Sequence, residues 1–165
     1  MSARIQHPFP PLFDAESRVL ILGSFPSVKS REQRFFYGHP QNRFWRVIAA
    51  LFDEPAPGSV PEKRSLILRH HLALWDSIAS CTIDGSSDAS IRDVQPNDLN
   101  AILQAAPIRR ICCNGRASFT VYERWIRPLT GREALCLPST SPANAQWSLE
   151  RLVEAWSVIL ADLAE

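Results

Sequence analysis

Short apolar runs alternate with amphipathic segments along the whole chain. Residues 18–22 (RVLIL) form an apolar run that ends at Gly23, which is typical of a buried strand followed by a tight loop. Similar runs at 72–76, 108–113 and 134–137 predict three further strands. Helical spacing appears between these runs, so the sequence predicts four strands separated by helices.

The predicted helices carry an apolar stripe that can pack on a sheet. Residues 41–53 and 149–163 show this stripe most clearly, with apolar side chains recurring at spacings of three and four. Pro61 suits the first turn of another helix. Residues 86–97 are predicted to be loop, with Asn97 capping a helix that follows.

Strands that alternate with helices favour an α/β fold with a parallel sheet covered on both faces. A chain of 165 residues, 45% of them apolar, can build one such domain, over residues 1–165. Ligands of parallel sheets bind beyond the carboxyl ends of the strands. The segments that leave those ends are 23–27, 76–80, 113–118 and 138–144.

Charge gives no overall sign of a nucleic-acid partner, since the formal net charge is +1. A local positive field can still exist at the predicted ligand edge. The arginines that cluster there in sequence are Arg31, Arg34, Arg43, Arg46 and Arg116.

The first residues (MSARIQHPFPPLF) lack the apolar run of a secretion signal, and no stretch approaches the length of a membrane span. We therefore expect a cytoplasmic protein with no membrane partner.

Several common catalytic and cofactor motifs are missing. The sequence has neither the dinucleotide-binding nor the P-loop glycine pattern, so no nucleotide cofactor is expected. It also lacks the G-x-S-x-G elbow of serine hydrolases and the H-E-x-x-H zinc motif. The four cysteines lack metal-ligand spacing, so we expect reduced, buried thiols and no metal.

Residues 23–45 are rich in aromatic side chains among polar and basic ones. Aromatics at the ligand edge of a sheet suit stacking on nucleic-acid bases. The alternative is packing beneath the loop, which is favoured for Phe35, Phe44 and Trp45. Asn42 begins the helix that follows, where a capping role alone would explain it.

Residues 137–144 (LPSTSPAN) combine two prolines with three hydroxyl side chains. Such a loop can bind phosphate or wedge into a duplex. The alternative is a rigid strand-to-helix connection in which Asn144 caps the helix.

Taken together, GSFPS after the first strand, YGHPQNRFW, and LPSTSPAN after the fourth strand resemble the hypoxanthine-DNA glycosylase branch of the uracil-DNA glycosylase superfamily. The resemblance runs from about residue 18 to residue 146, with the expected closing helix. It implies a three-layer α/β/α sandwich with a central four-stranded parallel sheet. It also implies a monomeric, monofunctional glycosylase that acts on DNA containing a deaminated base, hypoxanthine first, without cofactor or metal.

Most of the superfamily carries Asp or Asn before a proline in the loop after the first strand, where this chain has Phe25 before Pro26. In the hypoxanthine branch, an Asn in the HPQN segment looks like the substitute, which makes Asn42 the catalytic candidate. The resemblance assigns the base pocket to Gly23, Ser24, Phe25, Pro26, Tyr37, Phe44 and Asn114. It assigns the DNA-binding loop to Pro138, Ser139, Thr140, Ser141, Pro142, Ala143 and Asn144.

The chemistry expected of this site begins with flipping the base out of the duplex. The Asn42 carbonyl oxygen would then accept a hydrogen bond from water and hold it against the sugar. Loop N–H groups and Asn114 would stabilise the leaving base. Asp76, at the end of the second strand, is an alternative water activator, although a role in capping the neighbouring loop is favoured.

Three rival hypotheses stay open at this point. Uracil or mispaired-base excision would use the same fold, because substrate choice depends on pocket shape. Phe25 at the usual acid position keeps open a catalytically silent nucleic-acid-binding module. A small-ester hydrolase using Ser139 or Ser141 lacks the elbow motif and a positioned histidine.

Overall fold

The computed structural model describes residues 4–164, which form two β-sheets and their flanking helices. The strands are β1 (Arg4–Gln6), β2 (Val19–Gly23), β3 (Leu72–Asp76), β4 (Ile78–Thr82), β5 (Arg92–Pro96), β6 (Arg110–Asn114) and β7 (Ala134–Leu137). The α-helices are α1 (Val28–Gln33), α2 (Phe44–Leu51), α3 (Val60–Arg69), α4 (Asn100–Ala105), α5 (Arg116–Val121), α6 (Arg127–Thr130), α7 (Leu149–Trp156) and α8 (Leu160–Leu163). Two 3₁₀ turns (Asp88–Ser90 and Ser157–Ile159) and a π-helical turn (Tyr122–Ile126) complete the set.

The predicted four-stranded parallel sheet is confirmed, with strand order β3-β2-β6-β7. In its register, Val19 lies opposite Leu72 on one side and Arg110 on the other. Every residue of β2 is buried. A central parallel strand covered on both faces needs such a continuous apolar run, which explains why the sequence pattern was clear.

Helices cover both faces of this sheet, which confirms the three-layer α/β/α architecture. On one face, Phe44 and Ile48 of α2, Leu66 of α3 and Trp156 of α7 join one apolar cluster with the sheet. A second cluster lies on the other face, where α4 and the π-helical turn pack against alternate strand residues. The side-chain alternation of β2 divides its residues between these two clusters.

A second sheet, antiparallel with strand order β1-β4-β5, was not predicted. Residues 76–80, which were expected to leave the end of the second predicted strand, continue into a further strand, because β4 begins at Ile78 and only Ser77 separates it from β3. The intervening Ser77 donates its N–H to the Gly23 carbonyl, and its hydroxyl is hydrogen-bonded to that of Ser118. Small polar residues resemble a loop in sequence, but here backbone pairing with β1 and β5 makes the segment a strand.

The loop predicted over residues 86–97 is also wrong in part, because Arg92–Pro96 form β5. The pairing of β5 with β4 is irregular and Asp93 adopts a φ of 54°, so no clean alternation marks this strand. Asn97 does not cap the next helix, which starts at Asn100. Its side-chain amide instead donates to the backbone carbonyl of Asp76.

The two clearest predicted helices exist, with different bounds. The segment 41–53 is helical only from Phe44 to Leu51. The closing segment 149–163 divides into α7, a 3₁₀ turn and α8. Among residues 4–164, none of the helices is both long and apolar enough to cross a membrane.

The four cysteines are free thiols. Three are buried and Cys136 is partly exposed. Burial raises the pKa of Cys112 and of Cys113 to about 12, so both thiols stay protonated at neutral pH. These two residues act as small apolar groups of the sheet.

Candidate active site at the carboxyl edge of the parallel sheet

A cavity of about 100 Å³ lies beyond the carboxyl ends of the parallel strands. It is smaller than the roughly 300–1,000 Å³ clefts that bind drug-sized ligands, so it suits a small group. The residues from the predicted base pocket and closing loop that line it are Gly23, Ser24, Phe25, Pro26, Tyr37, Asn42, Asn114, Ser139, Thr140 and Ser141. The segments after β2, β3, β6 and β7 thus meet in one place, as the topology predicts.

The aromatic segment contributes mainly to the core beneath the cavity. Phe35 stacks on Trp45 with ring centroids 6.1 Å apart, and both are buried. Phe44 is fully buried and does not line the cavity, so its assignment to the base pocket is wrong. Its position on the inward face of α2 places it under the ring of Tyr37. The alternative hypothesis, that Phe35, Phe44 and Trp45 pack under the loop, is confirmed.

Tyr37 stacks on Phe44 at a centroid distance of 4.0 Å, and its φ of 52° turns the chain sharply at this point. Its hydroxyl is buried and has no hydrogen-bond partner among the described residues. Burial, assisted by the charge of Asp76, holds the pKa of Tyr37 far above its usual value. Tyr37 therefore presents a protonated hydroxyl to the cavity.

Phe25 lines the cavity but provides no polar group. Its ring joins a small apolar cluster with Ile78 and Cys81 of β4 and with Ile83. The guanidinium of Arg31 lies 5.8 Å from the ring centroid. A side chain packed in this way neither holds water nor accepts a proton, so the chemistry of the site must come from other residues.

A chain of hydrogen bonds joins Asn42 to the closing loop and to the end of β6. The Asn114 Nδ2 amide donates to Thr140 Oγ1 at 3.0 Å, and Thr140 Oγ1 donates to Asn42 Oδ1 at 2.8 Å. Asn114 Oδ1 accepts from the Thr140 N–H at 3.0 Å, so the two residues bond reciprocally. Asn42 Oδ1 also accepts from the Phe44 N–H at 2.9 Å. The predicted capping role is nevertheless wrong, because the N-cap of α2 is Arg43.

This arrangement changes the expected role of Asn42. A carbonyl oxygen has two lone pairs, and both are engaged here by Phe44 and Thr140. A water molecule held by this oxygen would compete with these two donors, so the water-holding role stays a prediction. The Nδ2 amide has no partner among residues 4–164, so Asn42 offers the cavity a hydrogen-bond donor.

The closing loop (residues 138–144) is held by Arg43, whose guanidinium donates to the carbonyls of Ser141 and Asn144, each at 2.9 Å, and to that of Trp147. The Arg43 N–H also donates to the Thr140 carbonyl at 3.0 Å. Arg43 therefore has a structural role in holding the loop, and because its partners are neutral carbonyls it keeps its positive charge beside the cavity.

The other arginines of the predicted patch divide into two kinds. Arg31 donates to the carbonyls of Pro26 and Gly85, so it too has a structural role. Arg34, Arg46 and Arg116 are exposed.

The tip of the closing loop, Pro142 and Ala143, is exposed, whereas Thr140 at its base is fully buried. The prediction that Asn144 caps the closing helix is wrong, because Ser148 caps α7 by accepting from the Arg151 N–H. Asn144 instead donates to the Ser139 carbonyl inside the loop.

The serine hydroxyls of the loop have local partners. Ser139 Oγ accepts from the Ser141 N–H, and Ser141 Oγ accepts from the Ala143 N–H. Within the described part of the chain, neither hydroxyl contacts a histidine. The ester-hydrolase hypothesis therefore lacks a base beside its nucleophile.

Sequence analysis missed one residue of this region, His7. Its Nε2 lies 2.6 Å from Oδ2 of Asp76, and both side chains are almost fully buried. Asp76 also lines the cavity, as its position at the end of β3 suggests. No sequence signal marks His7, because it follows the unpredicted strand β1 and lies 69 residues from its partner.

Comparisons with known proteins agree with this geometry. A family model described as the uracil DNA glycosylase superfamily matches residues 10–163. A hypoxanthine DNA glycosylase of Methanosarcina acetivorans is 36% identical over 157 residues, covering 94% of this chain and 98% of the relative. One of Methanosarcina barkeri is 32% identical over 151 residues, covering 90% and 94%. The solution NMR structure of a candidate uracil DNA glycosylase from M. acetivorans superposes with a TM-score of 0.81 at 32% identity, covering 98% of this chain and 99% of the other.

Proposed function

The chain belongs to the uracil DNA glycosylase superfamily, and from this premise we propose that it excises hypoxanthine from DNA by hydrolysing the N-glycosidic bond. Two relatives that match nearly their whole length carry the name hypoxanthine DNA glycosylase. Within the site, the observation that carries the proposal is the amide of Asn42, held by two hydrogen bonds with its Nδ2 donor left for a ligand.

The reaction breaks the bond between the base nitrogen and C1′ of deoxyribose. Negative charge develops on the departing base while the sugar becomes oxocarbenium-like, as in other glycoside hydrolyses. A fixed donor aimed at the developing charge lowers the barrier most effectively when it does not reorganise. Asn42 has this property, because its oxygen is fixed by the Phe44 N–H and by Thr140.

Water then adds to C1′ and leaves an abasic site, with the base taking up one proton and the sugar one hydroxyl. An oxocarbenium-like carbon is strongly electrophilic, so the water needs positioning more than deprotonation. Phe25 lines the cavity and has no polar group that could hold that water. The water would approach C1′ between the Asn42 amide donor and the polar side chains of Ser24 and Ser139, which line the cavity.

Access to the base requires flipping it from the duplex, at a cost of a few kcal/mol that is smaller for a poorly paired base. The exposed tip at Pro142 and Ala143 would enter the gap, supported by a loop that Arg43 holds from below. Arg46 and Arg116, both exposed, would contact phosphates.

The test is a strand-scission assay on labelled duplexes that carry one hypoxanthine or one uracil, with alkali treatment after incubation. We expect scission at hypoxanthine, and a fall on the order of 100- to 1,000-fold in Asn42→Ala. Asn42→Asp is the informative companion, because a carboxylate keeps both acceptor contacts but lacks the amide donor. A similar fall in Asn42→Asp supports the donor role, whereas retained activity would restore the water-holding role of the oxygen.

Two other outcomes would change the proposed substrate or the proposed activity. Scission at uracil alone would keep the mechanism and change the substrate. Tight binding of damaged DNA without scission would favour the silent binding module that Phe25 suggests.

A monomeric state and a cytoplasmic location are part of the same proposal. Size-exclusion chromatography tests the first, and cell fractionation tests the second.

A further inference from the structure

The connection between β4 and β5 (residues 83–91) forms one wall of the cavity. Two of its side chains, Ser86 and Asp88, line the cavity next to the segment that follows β2. Both belong to the antiparallel sheet, which the sequence did not predict, and neither has a role in the reaction described so far. The cavity therefore has a polar wall whose function is open.

Contacts with the segment after β2 hold this connection in place. The Val28 N–H donates to Ser86 Oγ at 2.9 Å, and the Arg31 guanidinium donates to the Gly85 carbonyl at 3.2 Å. Ile91, at the end of the connection, packs against the apolar cluster of β4. These contacts fix the side chains of the connection relative to the parallel sheet.

A hydrogen bond joins Asp88 to the loop that carries Phe25. The Ser24 hydroxyl donates to Asp88 Oδ1 at 2.8 Å, and Ser24 directly precedes Phe25. An ionised carboxylate can accept about four hydrogen bonds, so this contact leaves Asp88 able to accept from a further donor. Desolvation against the cavity wall, assisted by the charge of Asp76, raises the pKa of Asp88 and makes it a stronger proton acceptor.

The two carboxylates of the cavity, Asp76 and Asp88, lie at different depths. Asp76 is 4% exposed and bonds to His7, whereas Asp88 is an exposed residue whose carboxylate faces the cavity. A flipped base enters a cavity first, and its sugar stays at the entrance because it is attached to the DNA backbone. Asp88 is therefore at the depth that the sugar reaches. A carboxylate there also repels the phosphates, a cost that a catalytic role would offset.

We propose that the Asp88 carboxylate holds the water that attacks C1′, which supplies the acceptor that Phe25 lacks. As the bond between C1′ and the base nitrogen breaks, its electron pair leaves with the base. The water oxygen bonds to C1′ while one water proton passes to Asp88. Asp88 then releases this proton to solvent, and the base anion takes up a proton from solvent. The proposal deepens the proposed function and rests on it.

This role differs from that of Asn42. The Asn42 oxygen already accepts from the Phe44 N–H and from Thr140, so a water molecule would have to compete for it. Asp88 offers acceptor positions without that competition, and its negative charge also stabilises an oxocarbenium-like sugar beside it. Asn42 then serves as a donor, and Asp88 as the acceptor for water.

The experiment combines two measurements on duplexes that carry one hypoxanthine. Single-turnover excision reports on the chemical step, and equilibrium binding is measured on a duplex whose damaged nucleoside is made non-hydrolysable by a 2′-fluoro group. Asp88→Asn keeps an oxygen for Ser24 but loses the charge and the proton acceptor. We expect excision to fall on the order of 100-fold. Binding should stay the same or tighten, because a negative charge that faces the phosphates is gone.

Asp93→Asn is the matched control. The Asp93 carboxylate lies in the same hairpin and accepts from the Thr82 hydroxyl at 3.1 Å, but it does not line the cavity. The substitution should change neither excision nor binding. A loss of excision in this control equal to that in Asp88→Asn would assign both effects to the fold of the hairpin and would contradict the proposal.

Two further variants separate catalysis by Asp88 from anchoring of the connection. Ser24→Ala removes the hydrogen bond to Asp88 but leaves its carboxylate, so excision should fall only about 3- to 10-fold. In Asp88→Ala, added formate should restore part of the lost rate, because a small carboxylate can occupy the vacated space. Formate should not rescue Asn42→Ala. Equal losses in Ser24→Ala and Asp88→Ala, without rescue by formate, would reduce Asp88 to an anchor.

The outcomes distinguish this inference from the function on which it rests. If the wild type excises hypoxanthine and Asp88→Asn and Asp88→Ala do so at the same rate, another group holds the water and only this inference is wrong. If the wild type excises neither hypoxanthine nor uracil, the proposed function fails and this inference fails with it.

Discussion

The closing loop and the part of the cavity formed by Gly23, Tyr37 and Asp76, which we call the pocket floor, are neighbouring polar regions that differ in how their hydrogen-bonding groups are satisfied. In the loop, the carbonyls of Ser141 and Asn144 accept from Arg43, and Thr140 bonds to both Asn42 and Asn114. On the floor, the hydroxyl of Tyr37 is buried without a hydrogen-bond partner among the described residues.

The difference indicates that the two regions have different functions. A region whose polar groups are paired internally is rigid and gives a fixed shape, which suits a loop that enters a duplex. A region with unpaired buried groups is destabilised until a ligand supplies the partners, which suits recognition of a base. Loss of the Arg43 or Thr140 contacts in the loop should therefore reduce stability, whereas loss of the Tyr37 hydroxyl should reduce activity while leaving stability intact.

The largest effect should come from Arg43→Ala. It removes the donors to three loop carbonyls, so we expect a loss of about 3 kcal/mol of unfolding free energy in urea, because bonds from charged donors are the stronger kind. Arg43→Lys should recover only part of this, since an ammonium cannot reproduce the planar fork. Arg46→Ala, an exposed arginine on the next helix, is the control and should change stability by under about 0.5 kcal/mol.

A smaller loss should follow from Thr140→Val. The substitution keeps the shape of the side chain but removes the hydroxyl that joins Asn114 to Asn42. We expect a loss of about 1–2 kcal/mol in stability and roughly a tenfold slower excision, because Asn42 loses one of its two fixed contacts. Thr120→Val, at an exposed position of α5, should change neither quantity. An unchanged excision rate in Thr140→Val would mean that the Phe44 N–H alone fixes Asn42.

Tyr37→Phe tests the contrast most directly, because it should change stability and activity in opposite directions. The hydroxyl has no partner in the described structure, so its removal should leave stability unchanged or raise it by about 1 kcal/mol. Excision of hypoxanthine should nonetheless fall roughly tenfold. Tyr122→Phe is the matched control, because that hydroxyl donates to the Arg132 carbonyl at 2.6 Å and its loss should destabilise the fold. A clear destabilisation in Tyr37→Phe would remove the distinction between floor and loop.

The smallest effect concerns alkaline pH. The pKa of Tyr37 is raised in the folded state, so the folded chain retains a proton that the unfolded chain releases near pH 10. Stability contributed by this group is present below that pH and is lost progressively above it. Urea titrations between pH 9 and pH 11 should therefore show a shallower decline in Tyr37→Phe than in the wild type. Equal slopes would indicate that the Tyr37 hydroxyl ionises normally.

The sequence predicted the parallel sheet well, because strands buried on both faces need continuous apolar runs such as the one from Val19 to Leu22. It missed β4 and β5, whose residues are small, polar or irregularly paired and are held by backbone contacts. In the site, too, features marked by local sequence were predicted and features set by distant partners were not. Asn42 and residues 138–144 were found from local motifs and their position at strand ends.

Features that depend on distant partners were not predictable from local pattern. The orientation of the Asn42 amide is set by Thr140, 98 residues away, and His7 acquires its partner only through pairing of β1. Phe44 was misplaced for a similar reason, since the side of α2 that faces the core is fixed by the packing of α7. The contacts of these three residues are determined by long-range packing and strand pairing, and not by residue type.

The single residue between β3 and β4 limits how the chain length can vary. Ser77 donates to the Gly23 carbonyl and accepts from the Asn97 N–H, so its backbone spans both sheets. An inserted residue at this junction would shift β4 by one position and exchange the faces of its side chains, which would displace the backbone partner of His7. A deletion or insertion beside Ser77 should therefore abolish folding of the pocket.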